Sequence, residues 1–488
     1  MRPATPLKGH YAARNPRSGE PEREDPGAGV DIADPCVIMC ALSGIEVYSG
    51  AFGVAEAERL LWRGGFGPRT GEAEALAELG LDGAVHALTY PGPEKLVGPE
   101  PKTEHGQPLA PYSAWGQDHV WWLDRMVRTS RPLVERMALT WHDWFATSNT
   151  GVGSQELMLR QNALFRRKGL GSFHDLLLSV TEDPAMLLWL NGSGNSKYAP
   201  NENYGREMME LFTLGANRGY DEHDVRAQAR ALTGFTNRWS QHRGDYDFHF
   251  DPTQHDTGVK IIFSQHGRFD WKDSCRLCVT HPDHSSFFVT KLWSYFVPVP
   301  PDTSTRVALQ QLYVSSKYEI RNVVAAILKH PALYLGPRMV KQPVVYNAGL
   351  LRRLGDGITT TAWAWLGAQA GQQLFYPPNV AGWDETRWLD TATWLGRWEI
   401  AQTALQPHSL DPGKNKTMPT QTEPQLQQAL QFWKQPTLGP ATTKALTRFA
   451  DGALVDIAGA DWKREQYPPM VQNALRHLVA MSPEFQAA

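Results

Sequence analysis

Between residues 154 and 235 the chain repeats one local pattern, and that pattern constrains the fold more than any other feature. Ser154, Ser172, Asn201 and Asp221 each stand at the head of an apolar run stepped at three and four residues, and each run ends near a glycine. A side chain that accepts the free amides of a first turn, followed by a helical period, predicts an α-helix at each place. The same period returns on both sides. "GVAEAERLLWRGGFGPRTGEAEALAELGLDGAVHALTYPGP" reads as two short helices ended by Pro91, and residues 91–112, rich in Pro and Gly, read as a loop. "DHVWWLDRMVRTSRPLVERMALTWHDWFATS" reads as one long helical stretch, with Val120, Leu123, Met126, Val127, Leu133, Met137, Leu139 and Trp141 in step. Residues 237–273 lose the period and read as loops with room for one short β-hairpin. From "SSFFVTKLWSYFV" onward the helical pattern resumes and continues into the tail.

No alternating strand and helix series occurs, which argues against a parallel sheet. The expected fold is therefore mostly α: a single large multi-helix domain over 51–488 with irregular polar loops. Residues 1–50 read as a poorly ordered lead-in, since the first 35 mix Pro, Gly and charges of both signs. They also lack the apolar core of an export signal, so a cytoplasmic location is the default expectation.

Charged residues make up 20% and hydrophobic ones 42% of the chain, with a net charge of -3. Such a balance gives no basic field for nucleic acid. No charge-free apolar run is long enough to predict a membrane span. The sequence lacks GxxxxGK[ST], GxGxxG after a strand, GxSxG and HExxH, so no nucleotide or flavin motif is present, nor an acyl-transfer or zincin motif.

The cysteines pair in sequence as Cys36 with Cys40 and Cys275 with Cys278. "CRLCVTHPDH" sets Cys275, Cys278, His281 and His284 at three-residue steps, a zinc-like ligand set. One helix cannot wrap four ligands around an ion, however, and Pro282 interrupts the run. Buried free thiols with capping or surface histidines are the favoured reading.

Chemistry-bearing residues concentrate in "YAPNENYGREMMELFTLG". At the helical pitch Asn203, Glu207 and Glu210 share one stripe, and Arg206 lies four residues from both Glu202 and Glu210. A solvated helix face explains this, and so does a polar wall facing a cleft. "HDTG" adds His255 and Asp256, an imidazole and a carboxylate suited to proton transfer, capping or one edge of a metal site. "YPPNVAGWDETRW" is a stiff loop that offers Asn379 and Trp383 as a binding rim, although most of the 18 tryptophans must fill core.

Several motifs then occur together and in order: "RMALTWHDWFATSN", "PNENYGREMMELFTLG", "DVRAQARALTGFT", "HDTGVK", "KLWSYFV" and "FYPPNVAGWDETRWLDTATWLGRW". In these the chain, from about residue 55 to 400, resembles the bacterial family catalogued as domain of unknown function 1800. The resemblance implies a mostly helical fold, frequent export, and a sulfatase-like companion protein. It carries no established activity. It also marks His142, Arg160, Asn162, Asn201 and Lys260 as motif residues, and it exposes one departure. Where the family often reads "WHxHF", this chain has "WHDWF", with Trp144 in place of a second histidine.

Two functions stay open. In the first the chain is a hydrolase-like acid and base enzyme acting on an envelope polymer or a small polar substrate. His142, Glu202, Glu207, Glu210, His255 and Asp256 would supply catalysis, and Trp141, Asn203, Arg206, Asn379 and Trp383 binding. A divalent metal held by His142, Glu207, Glu210 and His255 is a variant of it. In the second the same polar groups form an internal network in a non-enzymatic binding or scaffold protein. Convergence of His142, Glu207, Glu210 and His255 on an accessible site discriminates the two.

Overall fold

The computed structural model describes residues 44–414, 418–455, 457 and 460–488. Most of the expected lead-in, with Cys36 and Cys40, lies outside the described residues. The rest is mostly α, with 23 helices and two short antiparallel hairpins among the described residues. One hydrophobic cluster runs from Ile45 to Phe485. No helix is long and apolar enough to cross a membrane among these residues.

The four anticipated caps all form. Ser154 accepts from Leu157 N, Ser172 from Asp175 N, Asn201 from Asn203 N, and Asp221 from both His223 N and Asp224 N. The long stretch around residue 130 is instead two helices, Gln117–Arg128 and Pro132–Trp144. Pro132 is the reason: it cannot donate to the preceding turn, and it holds Arg131 at φ -122, ψ 61, outside the helical region.

Helix Pro132–Trp144 lies at the centre, packed against Gln117–Arg128, Gln155–Lys168 and Val54–Gly64. Twelve of its 13 residues are buried, and Asp143 is the exception. Glu135, fully buried, ties these helices together by pairing with Arg125 and Arg166 and accepting from Trp122 Nε1. Two guanidinium groups and an indole N–H make that buried carboxylate tolerable. At the C-terminal end, helices Thr422–Phe432, Pro440–Leu454 and Asp461–Ala480 pack on one another, and the last also packs on Thr391–Leu405.

The loop region holds two hairpins where one was expected. Strands β1 (Phe235–Ser240) and β2 (Gly244–Phe250) pair, as do β3 (Lys260–Ile262) and β4 (Gln265–Gly267). The second turns on Phe263 and Ser264, both at positive φ, a two-residue turn for which sequences ordinarily supply Asn or Gly.

Candidate active site

The polar stripe begins on helix Glu202–Glu207 and continues into a π-helical segment, Met208–Thr213. Gly205 lets the first helix lie close on Glu222–Ala231, where a Cβ would stand 3.1 Å from that of Gln228. In the π-helix the hydrogen bonds reach five residues instead of four, as Leu214 N to Met209 O at 2.8 Å does. Its last carbonyls are satisfied from outside. Lys291 Nζ donates to Leu211 O at 2.9 Å, Trp144 Nε1 to Phe212 O at 3.1 Å, and His284 Nδ1 to Thr213 O at 2.8 Å. A helix end whose carbonyls would otherwise be orphaned thus draws in three side chains from two other helices. A cation at that end also complements the helix dipole.

Lys291 links this end to a second set of polar groups. Its ammonium lies 4.4 Å from the Trp144 ring, and burial lowers its pKa to about 8, with the Asp143 carboxylate acting in the opposite sense. Asp143 Oδ2 accepts from the Tyr295 hydroxyl at 2.8 Å, and Oδ1 accepts from Trp383 N at 2.8 Å. Burial raises the Asp143 pKa, against those two hydrogen bonds and the Lys291 charge. Gly382, at φ 95, brings the loop onto this carboxylate. Arg136, seven residues before Asp143 on the same helix, lies near enough to feel both Tyr295 and Asp143, and burial lowers its pKa to about 10. Its Nε and Nη1 are buried without a hydrogen-bond partner, and so are Trp383 Nε1 and His142 Nε2.

Asp143, Lys291, Tyr295 and Trp383 all keep partial solvent exposure, so the cluster opens to the surface. Two cavities lie elsewhere. One of about 500 Å³ lies among Trp398, Phe449 and His477, and one of about 290 Å³ beside Trp62 and Lys341. Neither is lined by Asp143, Lys291 or Tyr295.

The residues singled out from sequence fall into separate places. His142 is buried, ringed by Trp122, Phe375, Phe165 and Trp383, and desolvation lowers its pKa to about 3. Its ring centroid is 5.5 Å from that of Trp383, so these two border the Asp143 cluster together. Trp141 is wholly in the core and donates from Nε1 to Gly169 O. Asn379 is exposed and accepts from Ala381 N, shaping the loop.

Glu207 and Glu210 lie together, half-exposed; half-burial and then the Glu210 charge raise the pKa of Glu207. Asn203 is exposed. Arg206 takes Glu222 with two hydrogen bonds, at 2.7 and 2.9 Å, and Glu202 at 3.2 Å. Of the two carboxylates four residues away, Glu202 pairs with Arg206 and Glu210 does not, because Glu222, on the next helix, offers a two-pronged acceptor.

His255 donates from Nδ1 to Thr233 O at 2.9 Å, and Asp256 pairs with Arg230 at 2.7 Å, which lowers its pKa. Lys260 donates to the carbonyls of Asp256 and Gly258. "HDTG" is thus a turn locked by its own polar groups. His142, Glu207, Glu210 and His255 do not gather, and among the described residues no group of three or more His, Cys, Asp or Glu side chains is placed to hold a metal ion. Cys275 and Cys278 are buried thiols, beside Thr181 and Gln228 respectively. His281 caps its helix by accepting from Asp283 N, while His284 is a buried histidine bonded on both nitrogens.

Sequence reasoning passed over Asp143, Arg136, Lys291 and Tyr295. A signal was available: Arg136 and Lys291 are lone cations inside apolar helical runs, "VERMALTW" and "FFVTKLWSYFV", where a long charged side chain has no water to reach. The family described as Protein of unknown function (DUF1800) matches residues 59–487. No curated protein and no solved structure matches the chain.

Proposed function

The chain belongs to the DUF1800 family of proteins of unknown function, and from that premise we propose that it is a hydrolase-like acid and base catalyst for a small polar substrate, centred on Asp143. The observation that carries this reading is the Asp143 carboxylate, held by Tyr295 and the Trp383 amide beside Lys291 and Arg136 in an opening to solvent. A carboxyl whose pKa is raised and an amine whose pKa is lowered to about 8 approach neutrality from opposite sides. Groups tuned in this way suit a base and an acid working at the same pH.

In this mechanism Asp143 takes a proton from the attacking water or hydroxyl. Lys291 returns one to the leaving group, and the Tyr295 hydroxyl holds the carboxylate in place. Trp383 forms the apolar side of the opening, with the buried His142 ring packed behind it. Glu207 and Glu210 form a second, shallower carboxylate pair near the C-terminal carbonyls that Lys291 caps.

The test is turnover of a panel of chromogenic esters, phosphate esters, glycosides and peptides by the full chain and by Asp143→Asn and Glu207→Gln. Turnover lost in Asp143→Asn but kept in Glu207→Gln supports the reading. Turnover undiminished in Asp143→Asn, or none against any substrate class, sinks it. Metal analysis of the same preparation tests the metal-assisted variant.

A scaffold role is the second reading, and the "HDTG" turn favours it. There Thr233, Arg230, His255, Asp256 and Lys260 satisfy one another and leave little for a ligand.

A further inference from the structure

A buried guanidinium ordinarily finds acceptors, because its desolvation is costly when it stays unpaired. Arg136 is 3% exposed, yet its Nε and Nη1 have no acceptor. Asp143, the carboxylate that acts on it, makes no hydrogen bond to either nitrogen. Asp143 is already engaged by Tyr295 at Oδ2 and by Trp383 N at Oδ1. The other cation nearby, Lys291, donates to the Leu211 carbonyl and lies over the Trp144 and Phe287 rings. Arg63, on which Arg136 acts, donates from each of its three nitrogens, to Ala488 O, Phe296 O and Pro337 O, and adds positive charge. The interior side of the cluster therefore holds guanidinium donors that no acceptor of the chain meets. Glu385, the second carboxylate that acts on Asp143 and Tyr295, is exposed on the loop outside.

We propose that the opening at Asp143 receives an oxyanion, the carboxylate or phosphate group of its substrate, and that Arg136 is the residue that binds it. The inference rests on the reaction site proposed above and adds the class of substrate. A planar, permanently charged guanidinium matches a carboxylate or phosphate with paired hydrogen bonds. The indole N–H of Trp383, also buried and unpaired, supplies a neutral donor from the loop. In this arrangement the anion anchors the substrate, and Asp143 and Lys291 act on a neighbouring bond.

Inorganic phosphate and acetate, titrated calorimetrically into the full chain at pH 7, test the site. The expected result is saturable binding of at least one of them, weakened on the order of tenfold or more in Arg136→Met that keeps a native circular dichroism spectrum. Should Arg136→Met fail to fold, Arg136→Lys keeps the charge but loses the planar fork, and the same direction of loss is expected. Absence of saturable binding to the unaltered chain, or unchanged binding in a folded Arg136 variant, overturns the proposal. Asp143→Asn separates the two ideas, because it removes a negative charge without touching Arg136. Anion binding is expected to persist or tighten in that variant while turnover is lost. Turnover that survives there defeats the acid and base reading and leaves the anion site standing.

Discussion

The Tyr295 hydroxyl donates to Asp143 Oδ2 at 2.8 Å, joining two helices across 152 residues of chain. Asp143 is the one residue of its central helix that is not buried, and Tyr295 also stacks against the neighbouring Trp144, with ring centroids 6.3 Å apart. A carboxylate fixed in this way keeps one orientation toward the opening. The bond thus belongs both to the packing of the fold and to the geometry of the site.

Tyr295→Phe keeps the stacked ring and deletes only the donor. The Asp143 carboxylate loses one of its two hydrogen bonds, which should cost about 1 to 3 kcal/mol. Urea unfolding at pH 7 measures the loss. A change below about 0.5 kcal/mol, the range of an ordinary surface substitution, would show that the bond holds nothing in place.

His142 should make the protein acid-sensitive in a defined window. Desolvation lowers its pKa from 6.5 to about 3, so the unfolded chain takes up a proton as the pH falls past 6.5, while the folded chain does not until about 3. Stability from this group is complete above pH 6.5 and declines below it by roughly 1.4 kcal/mol per pH unit. Asp118 and Asp124, raised by burial to about 6, and Asp183, raised to about 7, act in the opposite sense, so the net profile conceals the effect. The difference between the unaltered chain and His142→Phe isolates it. Between pH 7 and 4.5 the variant should gain about 2 to 3 kcal/mol relative to the parent, and parallel urea profiles would contradict the assignment.

Local chemistry made the helices legible in the sequence, and distance hid the site. Ser154, Ser172, Asn201 and Asp221 cap because a cap needs only its own next few residues. The π-helix at Met208–Thr213 escaped because it depends on Lys291, Trp144 and His284 arriving from other helices to take its carbonyls. Arg206 chose Glu222 over Glu210 for a similar reason, since a helical wheel has no neighbouring helix in it. The β3–β4 turn carries Phe263 and Ser264 where a recognisable turn carries Asn or Gly. In "WHDWF" the histidine is the conspicuous residue, but the one that keeps partial exposure is Asp143, and only the fold brings Lys291, Tyr295 and Trp383 to it.

Cys275 and Cys278 should be inert in the folded protein. Both are fully buried, and burial raises both thiol pKa values, so little thiolate exists at neutral pH. In a Cys36→Ser, Cys40→Ser background, labelling by a chromogenic disulfide reagent at pH 7.5 should be limited by the rate of unfolding. It should accelerate with urea in step with loss of circular dichroism. Labelling within seconds without denaturant would mean that these thiols are reached by a local opening of helix Trp271–Thr280.

Gly382→Ala tests whether the Trp383 loop is held by the carboxylate it covers. At φ 95 any side chain is strained, and a Cβ there would collide with Asp143 Oδ1 and stand 2.9 Å from the Asp143 carbonyl oxygen. Neither atom can retreat easily, because the carbonyl belongs to the central helix and Oδ1 is fixed by Trp383 N. The loop must therefore lift, breaking that hydrogen bond and opening the ring contact between Trp383 and His142. Residues 377–388 should lose hydrogen-exchange protection while helix Pro132–Trp144 keeps it, at a global cost of about 1 to 3 kcal/mol. With Asp143 as the proposed base, turnover falls with the loop, since only Tyr295 then orients the carboxylate. If exchange across 377–388 matches the parent, the loop is anchored elsewhere, and the Trp383 to Asp143 bond is a consequence of its position instead of the cause.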